Sequence, residues 1–476
     1  SGAELLSQGE PYANRLGPRY LRPMHSTDPE ERREWWVLFR LAIPIIFTNL
    51  TMFSMSAVDT LMIGHRSKED LAAMGLALVW LQGTTMFASG ILFGMDPIVS
   101  QAHGAGDRKR IAAVLGQGWV LAAILTPLLM LAWWWTEDFL LLAGQDPALA
   151  HAGGAYARWL CPSAPFLMIF TVSRQWLQGR RIVKPILFHA MWANALNVLL
   201  NWVLIFGHAG APEMGLVGAS VATSITRAAM AAGLVAYLMR KQHHVVPRLG
   251  LVPAARDGAA LRQLFWLGLP VAFQVSFEIG AFGLSTLFAG RLGTTAASAH
   301  LVVLNMASIT FMVPLGIGLA ASARVGNLIG EGRLERARRS ARWAFGMGAG
   351  TMACFALVFY FGRHELPWLY TNAGEIDVRM AAASILPIAA AFQIFDGIQV
   401  VGSGVLRGAG QTRASAFFNF LGYWPLALPL GWFLTFRMDM GIRGIWWGLA
   451  LGLAGVATGL IVWWKRTPLE RIDAPA

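Results

Sequence analysis

Residues 271–290 read VAFQVSFEIGAFGLSTLFAG, a run in which Glu278 is the only charged side chain. A helix of about 20 apolar residues crosses the ~30 Å hydrocarbon core of a bilayer. The chain of 476 residues is 56% hydrophobic and only 13% charged, whereas soluble globular proteins are about 25% charged. The sequence therefore predicts an integral membrane protein, and it raises the question of why a carboxyl group lies inside an apolar span.

Apolar runs of similar length fill the whole chain, and none alternates polar and apolar residues as the strands of a transmembrane barrel do. Their length and composition predict helices. We therefore expect an all-α membrane protein with twelve transmembrane helices, at about residues 36–63, 71–101, 111–136, 154–177, 184–207, 215–239, 261–290, 296–327, 338–362, 380–406, 413–437 and 441–464.

The second half of the chain resembles the first at an offset of 226 residues. LAIPIIF (41–47) aligns with LGLPVAF (267–273), so that Pro44 matches Pro270. Each half holds an even number of predicted helices, and parallel repeats of this kind are related by an axis along the membrane normal. We expect two pseudo-symmetric six-helix bundles in a V shape with a central cleft, and we expect the helices with Pro44 and Pro270 to bend.

The helix pattern also predicts the boundaries of the domains. These are a cytoplasmic N-terminal tail (1–35), an N-lobe (36–239), a cytoplasmic linker between the lobes (240–260), a C-lobe (261–465) and a C-terminal tail (466–476).

Lysine and arginine are distributed unevenly between the two sides of the predicted membrane. The side with both termini carries 27 of them in its connections and the other side carries 7, in a chain of net charge +12. Cytoplasmic loops carry such an excess, so we expect a multi-pass protein of the inner (plasma) membrane with both termini cytoplasmic. The basic segment GEGRLERARRSAR (330–342) then meets water and anionic lipid headgroups, and we expect no nucleic-acid partner.

Sequence motifs for catalysis are absent. The chain has no metal-ligand spacing, no Walker loop and no G-x-S-x-G elbow. Cys161 and Cys354 lie within apolar runs, where we expect packing rather than a disulfide. His189 and His300 are also expected to be structural. We therefore expect neither an enzyme nor a bound cofactor.

Three carboxyl groups lie well inside predicted helices: Asp59, Glu278 and Asp396. A charge near the bilayer centre costs at least about 2.5–3.5 kcal/mol, so such residues usually face a cavity and have a function. At the offset of the repeat, Asp59 corresponds to Ser285 and Glu278 to Met52. The acids are therefore not duplicates of one structural pair, and we expect each half to have its own site.

In the second half, Asp396 shares a helical face with Phe392 and Gln399. Because burial disfavours a charged carboxylate, Glu278 can hold a proton near neutral pH and release it when another cation arrives. Two structural alternatives remain at this point: Glu278 forms an ion pair with Arg324, and Asp96, near the end of the second helix, caps its helix or hydrogen-bonds with Ser100.

In the first half, NALNVLLN (194–201) places Asn194, Asn197 and Asn201 on one helical face. A polar stripe is costly against lipid, so this face is expected to look inward. With Asp59 it forms an oxygen-rich pocket suited to a proton, Na⁺ or a substrate amine. The alternative is hydrogen bonding that only joins helices.

Six motifs in order then identify a family resemblance. They are FSMSAVDTLMIGH (53–65), DPIVSQAHGAGD (96–107), LNVLLNWVLIFG (196–207), FEIGAFG (277–283), VGNLIGEG (325–332) and DGIQVVGSGVLRGAGQTR (396–413). Over about residues 35–465 the chain resembles the multidrug and toxic compound extrusion (MATE) transporters. Its acids in the seventh and tenth helices make it most similar to the NorM-like branch.

The resemblance implies the export of organic cations and drugs in exchange for inward H⁺ or Na⁺. It implies an N-lobe site at Asp59, Asn197 and Asn201, and a C-lobe cation site at Glu278 and Asp396, with Na⁺ a candidate ligand of any of these acids. The family often has a tyrosine where this chain has Phe392. The missing hydroxyl removes one oxygen ligand, which favours protons over sodium.

We expect small cationic or amphipathic drugs and membrane lipids as partners, no cofactor besides the coupling ion, and a monomer. One rival is a flippase for lipid-linked precursors, which would need a basic cleft, and only Arg227 and Arg324 are candidates for it. The other rival is an intramembrane enzyme, which would need a nucleophile or metal site that the sequence does not show.

Overall fold

The computed structural model describes residues 34–242, 257–372 and 374–472, and all regular structure in these ranges is helical. The helices of the first half are α1 (Glu34–Arg66), α2 (Lys68–Leu92), α3 (Met95–Gly104), α4 (Arg108–Trp134), α5 (Thr136–Leu142), α6 (Pro147–Leu160), α7 (Ala164–Gly179), α8 (Lys184–Phe206) and α9 (Gly215–Lys241). Those of the second half are α10 (Gly258–Arg291), α11 (Thr294–Gly330), α12 (Leu334–Phe361), α13 (Ile376–Gly408), α14 (Thr412–Leu421), α15 (Leu428–Phe436) and α16 (Ile442–Arg466).

Ten stretches of the described chain are helical, long and apolar enough to span a bilayer, with α2 and α3 counted as one. Two further spans are interrupted. A 3₁₀ turn at Cys161–Ser163 separates α6 from α7, and a π-helical segment at Gly422–Ala427 connects α14 to α15. Each interruption contains a proline, which removes a helical hydrogen bond. The prediction of an all-α protein with twelve spans is confirmed.

Several helices begin at an aspartate that accepts a hydrogen bond from a backbone amide, and α8 ends at a glycine. The carboxylate of Asp107 accepts from the Arg110 amide (3.0 Å) at the start of α4, and Asp257 accepts from the Ala259 amide (2.9 Å) before α10. Gly207 ends α8 in the left-handed conformation, at φ 73°.

Helix α1 packs against both bundles. Its first half contributes Leu38 and Ile45 to the apolar core of the second half of the chain, whereas Ile63 lies in the core of the first half. Pro44 lies in the segment that packs against the second bundle, and α1 continues through it as one helix. The first helix of the chain therefore crosses from one bundle to the other.

Helix α10 makes the equivalent crossing in the opposite sense. Leu264 and Ala272 lie in the core of the first bundle, and Ala281 lies in the core of the second. Pro270 again lies in the crossing segment of a continuous helix. The sequence repeat is thus also a structural repeat. In each half, the start of the first helix packs in the core of the other bundle.

The bundles approach each other closely at the end of the molecule where α1 and α10 begin and α3 and α11 end, here called the basic end. A Cβ atom added to Gly90 would lie 2.5 Å from the Cα of Ala272, and one added to Gly316 would lie 2.9 Å from the Cα of Ile46. Glycine is required at both positions because backbone from the other bundle occupies the space of a side chain.

Side-chain amides connect the bundles at the basic end. Asn327 donates to the carbonyl oxygens of Ser100 and Gly179, both at 2.9 Å, and Gln101 donates to the carbonyl of Gly408 at 3.1 Å. These hydrogen bonds connect side chains of one bundle to backbone carbonyl groups of the other.

A buried ionic cluster also joins α1 to the second bundle. The carboxylate of Glu34 accepts from Arg324 on α11 (2.8 Å) and from Arg336 on α12 (2.7 Å), and its side chain has 0% exposure. We call these three residues the Glu34 clamp. Charges this deeply buried are stable only when paired, so the clamp ties the start of α1 to the second bundle.

Residues 1–33, 243–256, 373 and 473–476 lie outside the described residues, and with them most of the predicted N-terminal tail (1–35) and linker (240–260) and the last part of the predicted C-terminal tail (466–476). Where these segments are described, several of their residues are helical: Glu34 starts the described part of α1, and Arg466 ends α16. The domain boundaries themselves stay predictions.

Candidate ion and substrate sites

The first polar cluster surrounds Asp59 in the second half of α1. The Asp59 side chain is buried, and its Oδ1 accepts from the Nδ2 of Asn201 on α8 at 2.5 Å. Its Oδ2 accepts from the hydroxyl of Thr223 on α9 at 3.2 Å. Asn201 also donates to the Oδ1 of Asn197 at 3.2 Å. Three helices of the first bundle therefore hold one carboxyl group.

The asparagines of α8 do not all reach Asp59. Asn197 and Asn201 are fully buried and lie one turn apart beside it. Asn194, a further turn back, is half-buried and donates to the hydroxyl of Ser54 at 2.9 Å. On this helical face, Asn197 and Asn201 therefore belong to the Asp59 cluster, whereas Asn194 makes a separate contact with α1.

Two residues of the Asp59 cluster were not singled out as site residues from the sequence. Thr223 bonds directly to the carboxylate. Arg227, one turn later on α9, donates to the hydroxyl of Ser163 at 2.9 Å and lies within electrostatic range of Asp59. Their spacing of four residues on an apolar helix is the sequence signal that would have pointed to a polar face.

The second polar cluster lies in the second bundle, around Glu278 on α10 and Asp396 on α13. Glu278 is half-buried and Asp396 is 4% exposed. Within the described ranges, no basic side chain forms an ion pair with either carboxyl group. The alternative that Glu278 pairs with Arg324 is wrong, because Arg324 is held by Glu34.

Amide and hydroxyl groups connect the helices around these acids. Gln399 on α13 donates to the Oδ1 of Asn419 on α14 at 2.6 Å, and Asn419 donates to the Ser415 carbonyl at 2.8 Å. The Ser415 hydroxyl bonds with Gln274 of α10 (2.9 Å) and Ser403 of α13 (2.8 Å). The sequence analysis identified Gln399 but missed the other members of this network.

Phe392 belongs to the aromatic packing of the same bundle. It is 2% exposed and makes edge contacts with Phe282 (6.1 Å between ring centroids) and Trp446 (5.7 Å). Phe392 lies one turn before Asp396 on α13, and its ring fills core space instead of lining an open surface.

Asp96 has a different environment from the one considered in the sequence analysis. Ser100, the expected hydrogen-bond partner, donates to the carbonyl of Pro97 at 3.2 Å. The Asp96 carboxylate instead faces Arg407 of α13 at 3.6 Å. Asp96 and Arg407 lie in different halves of the chain, so this pair is a contact between the bundles.

The two histidines in the spans have local partners. A ring nitrogen of His189 lies 2.7 Å from the Pro185 carbonyl oxygen, one turn earlier on α8. His300 is buried, 3.2 Å from the hydroxyl of Thr286, and packs against Trp446. Both environments agree with the structural role expected from the sequence.

Each bundle thus has a carboxyl-containing cluster with buried polar atoms that lack a partner among the described residues. In the first cluster, the Nδ2 of Asn197 and the Oδ1 of Asn201 have no hydrogen-bond partner among the described residues; in the second, the same holds for the Oδ1 of Asp396 and the Oε1 of Gln399. Buried polar atoms rarely stay unpaired. Free oxygens beside a carboxylate are suited to a proton, a small cation or a substrate amine.

The MatE family model matches residues 44–203 and 270–433, so one match begins at Pro44 and the other at Pro270. The fold is similar to the crystal structure of the eukaryotic MATE transporter AtDTX14, with a TM-score of 0.85, 24% sequence identity, and coverage of 92% of this chain and 97% of that chain.

Two further structures show the same fold. One is the outward-facing conformation of a multidrug resistance MATE family transporter of the MOP superfamily, with a TM-score of 0.82, 17% identity, and coverage of 93% and 98% of the two chains. The other is a MOP superfamily transporter from Pyrococcus furiosus Vc1, with a TM-score of 0.81, 18% identity and coverage of 91% and 95%. Reverse polarity of its binding pocket suggests a different function for that protein.

At these identities the structural likeness shows the fold alone, whereas the family model matches well over half of the chain, with one stretch in each bundle. Assignment to the NorM-like branch stays a prediction. This chain belongs to the MATE family of integral membrane transporters.

Proposed function

We propose that this MATE transporter exports organic cations and amphipathic drugs in exchange for inward H⁺ or Na⁺. The observation that carries the proposal is the pair of carboxyl groups Glu278 and Asp396, which have no basic ion-pair partner among the described residues. Because an isolated charge is costly inside a membrane protein, these groups favour a bound cation. A cationic substrate and a coupling ion can compete for them.

The proposed cycle is alternating access between the two bundles. The bundles are in contact at the basic end in this conformation, and rocking would separate them there and bring them together at the opposite end. A ligand drives this shift only through different affinities for the two conformations. The incoming ion therefore has to weaken the hold on substrate in the outward-open state.

Exchange of one monovalent cation for another moves no net charge across the membrane. The voltage contribution, about 2.3 kcal/mol per charge per 100 mV, then cancels. The concentration gradient of the coupling ion remains, and a tenfold gradient is worth about 1.4 kcal/mol. We therefore infer that transport depends on the chemical gradient of H⁺ or Na⁺.

The proposed site residues follow the two clusters. In the first bundle, Asp59, Asn197 and Asn201 form a site, with Asn194 beside it. In the second bundle, Glu278 and Asp396 hold the coupling cation, Gln399 lies on the same helix as Asp396, and Phe392 shapes the site. No cofactor is needed besides the ion, and Na⁺ is a candidate ligand of Glu278, Asp396 or Asp59.

We further propose that the protein works as a monomer in the plasma membrane with its basic end in the cytoplasm. The excess of lysine and arginine in the connections at that end supports this orientation. Anionic lipid headgroups are the expected partners of the segment 330–342.

The test is dye efflux from proteoliposomes under a pH gradient or a Na⁺ gradient, imposed separately. We expect Glu278→Gln and Asp396→Asn to fold and to lose gradient-driven efflux, because each removes a charge that binds cations. Glu335→Gln, which changes an exposed acid at the start of α12, is the matched control and should transport normally. Normal efflux by both Glu278→Gln and Asp396→Asn would remove these acids from the mechanism.

The flippase alternative is less well supported by the site. Arg324, one of its candidate anion ligands, is neutralised by Glu34, while the cluster in the second bundle is acidic. The dye experiment separates the two functions: binding of a cationic dye that is lost in Glu278→Gln supports the exporter, and binding of a lipid pyrophosphate that persists in Glu278→Gln supports the flippase.

A further inference from the structure

Tyr423 lies in the π-helical segment Gly422–Ala427, between α14 and α15. Its side chain has 0% exposure, and its hydroxyl has no hydrogen-bond partner among the described residues. A buried tyrosine hydroxyl normally has a partner. Single-turn π segments also occur frequently at functional sites, because the wider turn changes the direction of a side chain.

The surroundings of the Tyr423 ring place it beside the second cluster. It packs edge-on against Phe282 at 5.9 Å between centroids, and Phe282 also contacts Phe392. Two carboxyl groups, Glu278 on α10 and Asp396 on α13, lie within electrostatic range of the Tyr423 phenol. One buried hydroxyl is therefore located near two carboxyl groups on different helices.

Tyr423 is one of several buried oxygens without a partner in this bundle. The Oδ1 of Asp396 and the Oε1 of Gln399 are also unpaired among the described residues. Hard monovalent and divalent cations are bound by oxygen ligands of this kind, including carboxylate, amide and hydroxyl groups. These unpaired oxygens lie on α13 and in the π-helical segment. A bound cation would give them the partner that they lack.

We propose that the Tyr423 hydroxyl oxygen is a direct ligand of the coupling cation, in place of a hydroxyl that Phe392 lacks. Its oxygen would coordinate Na⁺ through a lone pair, or would accept a hydrogen bond from a protonated carboxyl group of Glu278 or Asp396. The inference rests on the proposed function and adds a third helical segment to its cation site. Na⁺ and H⁺ would interact with the phenol oxygen in the same way, because each presents an electron-poor partner to it.

The test compares variants of the purified full-length chain without any gradient. Tyr423→Phe removes one oxygen and keeps the ring, and Tyr423→Phe/Phe392→Tyr returns a hydroxyl to the same bundle. Tyr237→Phe makes the same chemical change on α9 in the other bundle and serves as control. The probes are ²²Na⁺ binding at fixed pH and, in Na⁺-free buffer, displacement of a bound cationic dye by acid.

If Na⁺ is the ion, we expect Tyr423→Phe to need about tenfold more Na⁺ for half-occupancy, since a hydrogen bond or ligand contact to a charged group is worth about one such factor. If H⁺ is the ion, the midpoint of dye displacement moves about one pH unit lower, which is the same tenfold loss. The double variant should recover most of the loss, which a purely structural role of Tyr423 would not produce.

Wild-type behaviour of Tyr423→Phe in both assays would overturn the proposal, as would a double variant no better than the single one. Should Tyr423→Phe fail to fold, Phe392→Tyr in the natural background is the second test: an added hydroxyl should tighten cation binding, and unchanged binding contradicts the inference. If Glu278→Gln loses cation binding while Tyr423→Phe keeps it, only this inference fails. If Glu278→Gln keeps normal binding and efflux, the proposed function fails first.

Discussion

At the residue scale, Asp59 shows how this fold accommodates a carboxyl group inside a membrane. Both of its oxygens accept hydrogen bonds, one from Asn201 and one from Thr223. Hydrogen bonds to a charged acceptor are stronger than neutral ones. Of the asparagines of α8, Asn201 therefore holds the carboxyl group directly, Asn197 contacts Asn201, and Asn194 bonds with Ser54 instead.

Asn201→Ala is expected to lower the free energy of unfolding by about 1–3 kcal/mol, because the Oδ1 of Asp59 is left buried without its donor. Asn194→Ala is the matched control. It removes the same side chain from the same helical face, but Asn194 is half-buried and bonds with Ser54, so its effect should be smaller. The measurement is unfolding in detergent by heat or denaturant. Equal losses in the two variants would contradict the assignment of Asn201 to Asp59.

At the element scale, the crossings of α1 and α10 determine how the bundles touch. Each helix starts in the core of the other bundle and ends in its own. Pro44 and Pro270 lie in the crossing segments, where a missing helical hydrogen bond lowers the cost of bending. Close packing of α10 against α2 and of α1 against α11 depends on Gly90 and Gly316. A single added methyl group at either glycine is therefore expected to disturb the crossing.

Gly90→Ala should therefore loosen the contact between α2 and α10. Its new methyl group would lie 2.5 Å from the Cα of Ala272, a backbone atom that cannot move alone. Gly83→Ala on the same helix is the control, because nothing lies within 4 Å of its added Cβ, and alanine is about 1 kcal/mol better than glycine in a helix.

Thermal unfolding and spin-label distances between α2 and α10 measure this difference. We expect Gly90→Ala to melt lower and to show a longer distance, and Gly83→Ala to be as stable as the wild type or more so. An unchanged α2–α10 distance in Gly90→Ala would mean that the bundles do not depend on this contact.

At the scale of the whole molecule, charged groups join the bundles at the basic end. The Glu34 clamp and the Asp96–Arg407 pair both connect one half of the chain with the other. In the alternating-access cycle proposed above, opening of the basic end has to stretch or break contacts of this kind. The stability of the closed basic end then depends on a few buried charges.

Glu34→Gln should shift the protein away from the conformation described here, because two buried guanidinium groups lose their counter-charge. Breaking a buried ion pair costs about 3–5 kcal/mol. Glu331→Gln is the control: Glu331 lies 3.5 Å from Arg333 in an exposed pair, and such pairs contribute about 0–1 kcal/mol.

Spin-label or fluorescence distances across the basic end report the shift. We expect a longer distance in Glu34→Gln and a wild-type distance in Glu331→Gln. If the two variants have the same distance distribution, the clamp does not hold this end closed.

Much of this architecture follows from the sequence alone. Twelve spans, two similar halves and three carboxyl groups within the spans were predicted correctly as features of the chain, because backbone hydrogen bonds in lipid must be satisfied within each helix. Local composition is sufficient to locate such helices. The same reasoning located Asp59, Asn197 and Asn201 on inward-facing surfaces, since polar stripes avoid lipid.

The partners of the buried groups were decided only by the tertiary structure. Glu34 was placed in a tail, yet it holds Arg324, a residue that had been considered for Glu278, and Asp96 faces Arg407 instead of bonding with Ser100. Helical periodicity states which face a side chain is on, but not which distant helix packs against that face. Here the crossings of α1 and α10 determine which helices pack against these buried groups. Each of the two helices contributes residues to both cores, which are built from parts of the sequence more than two hundred residues apart.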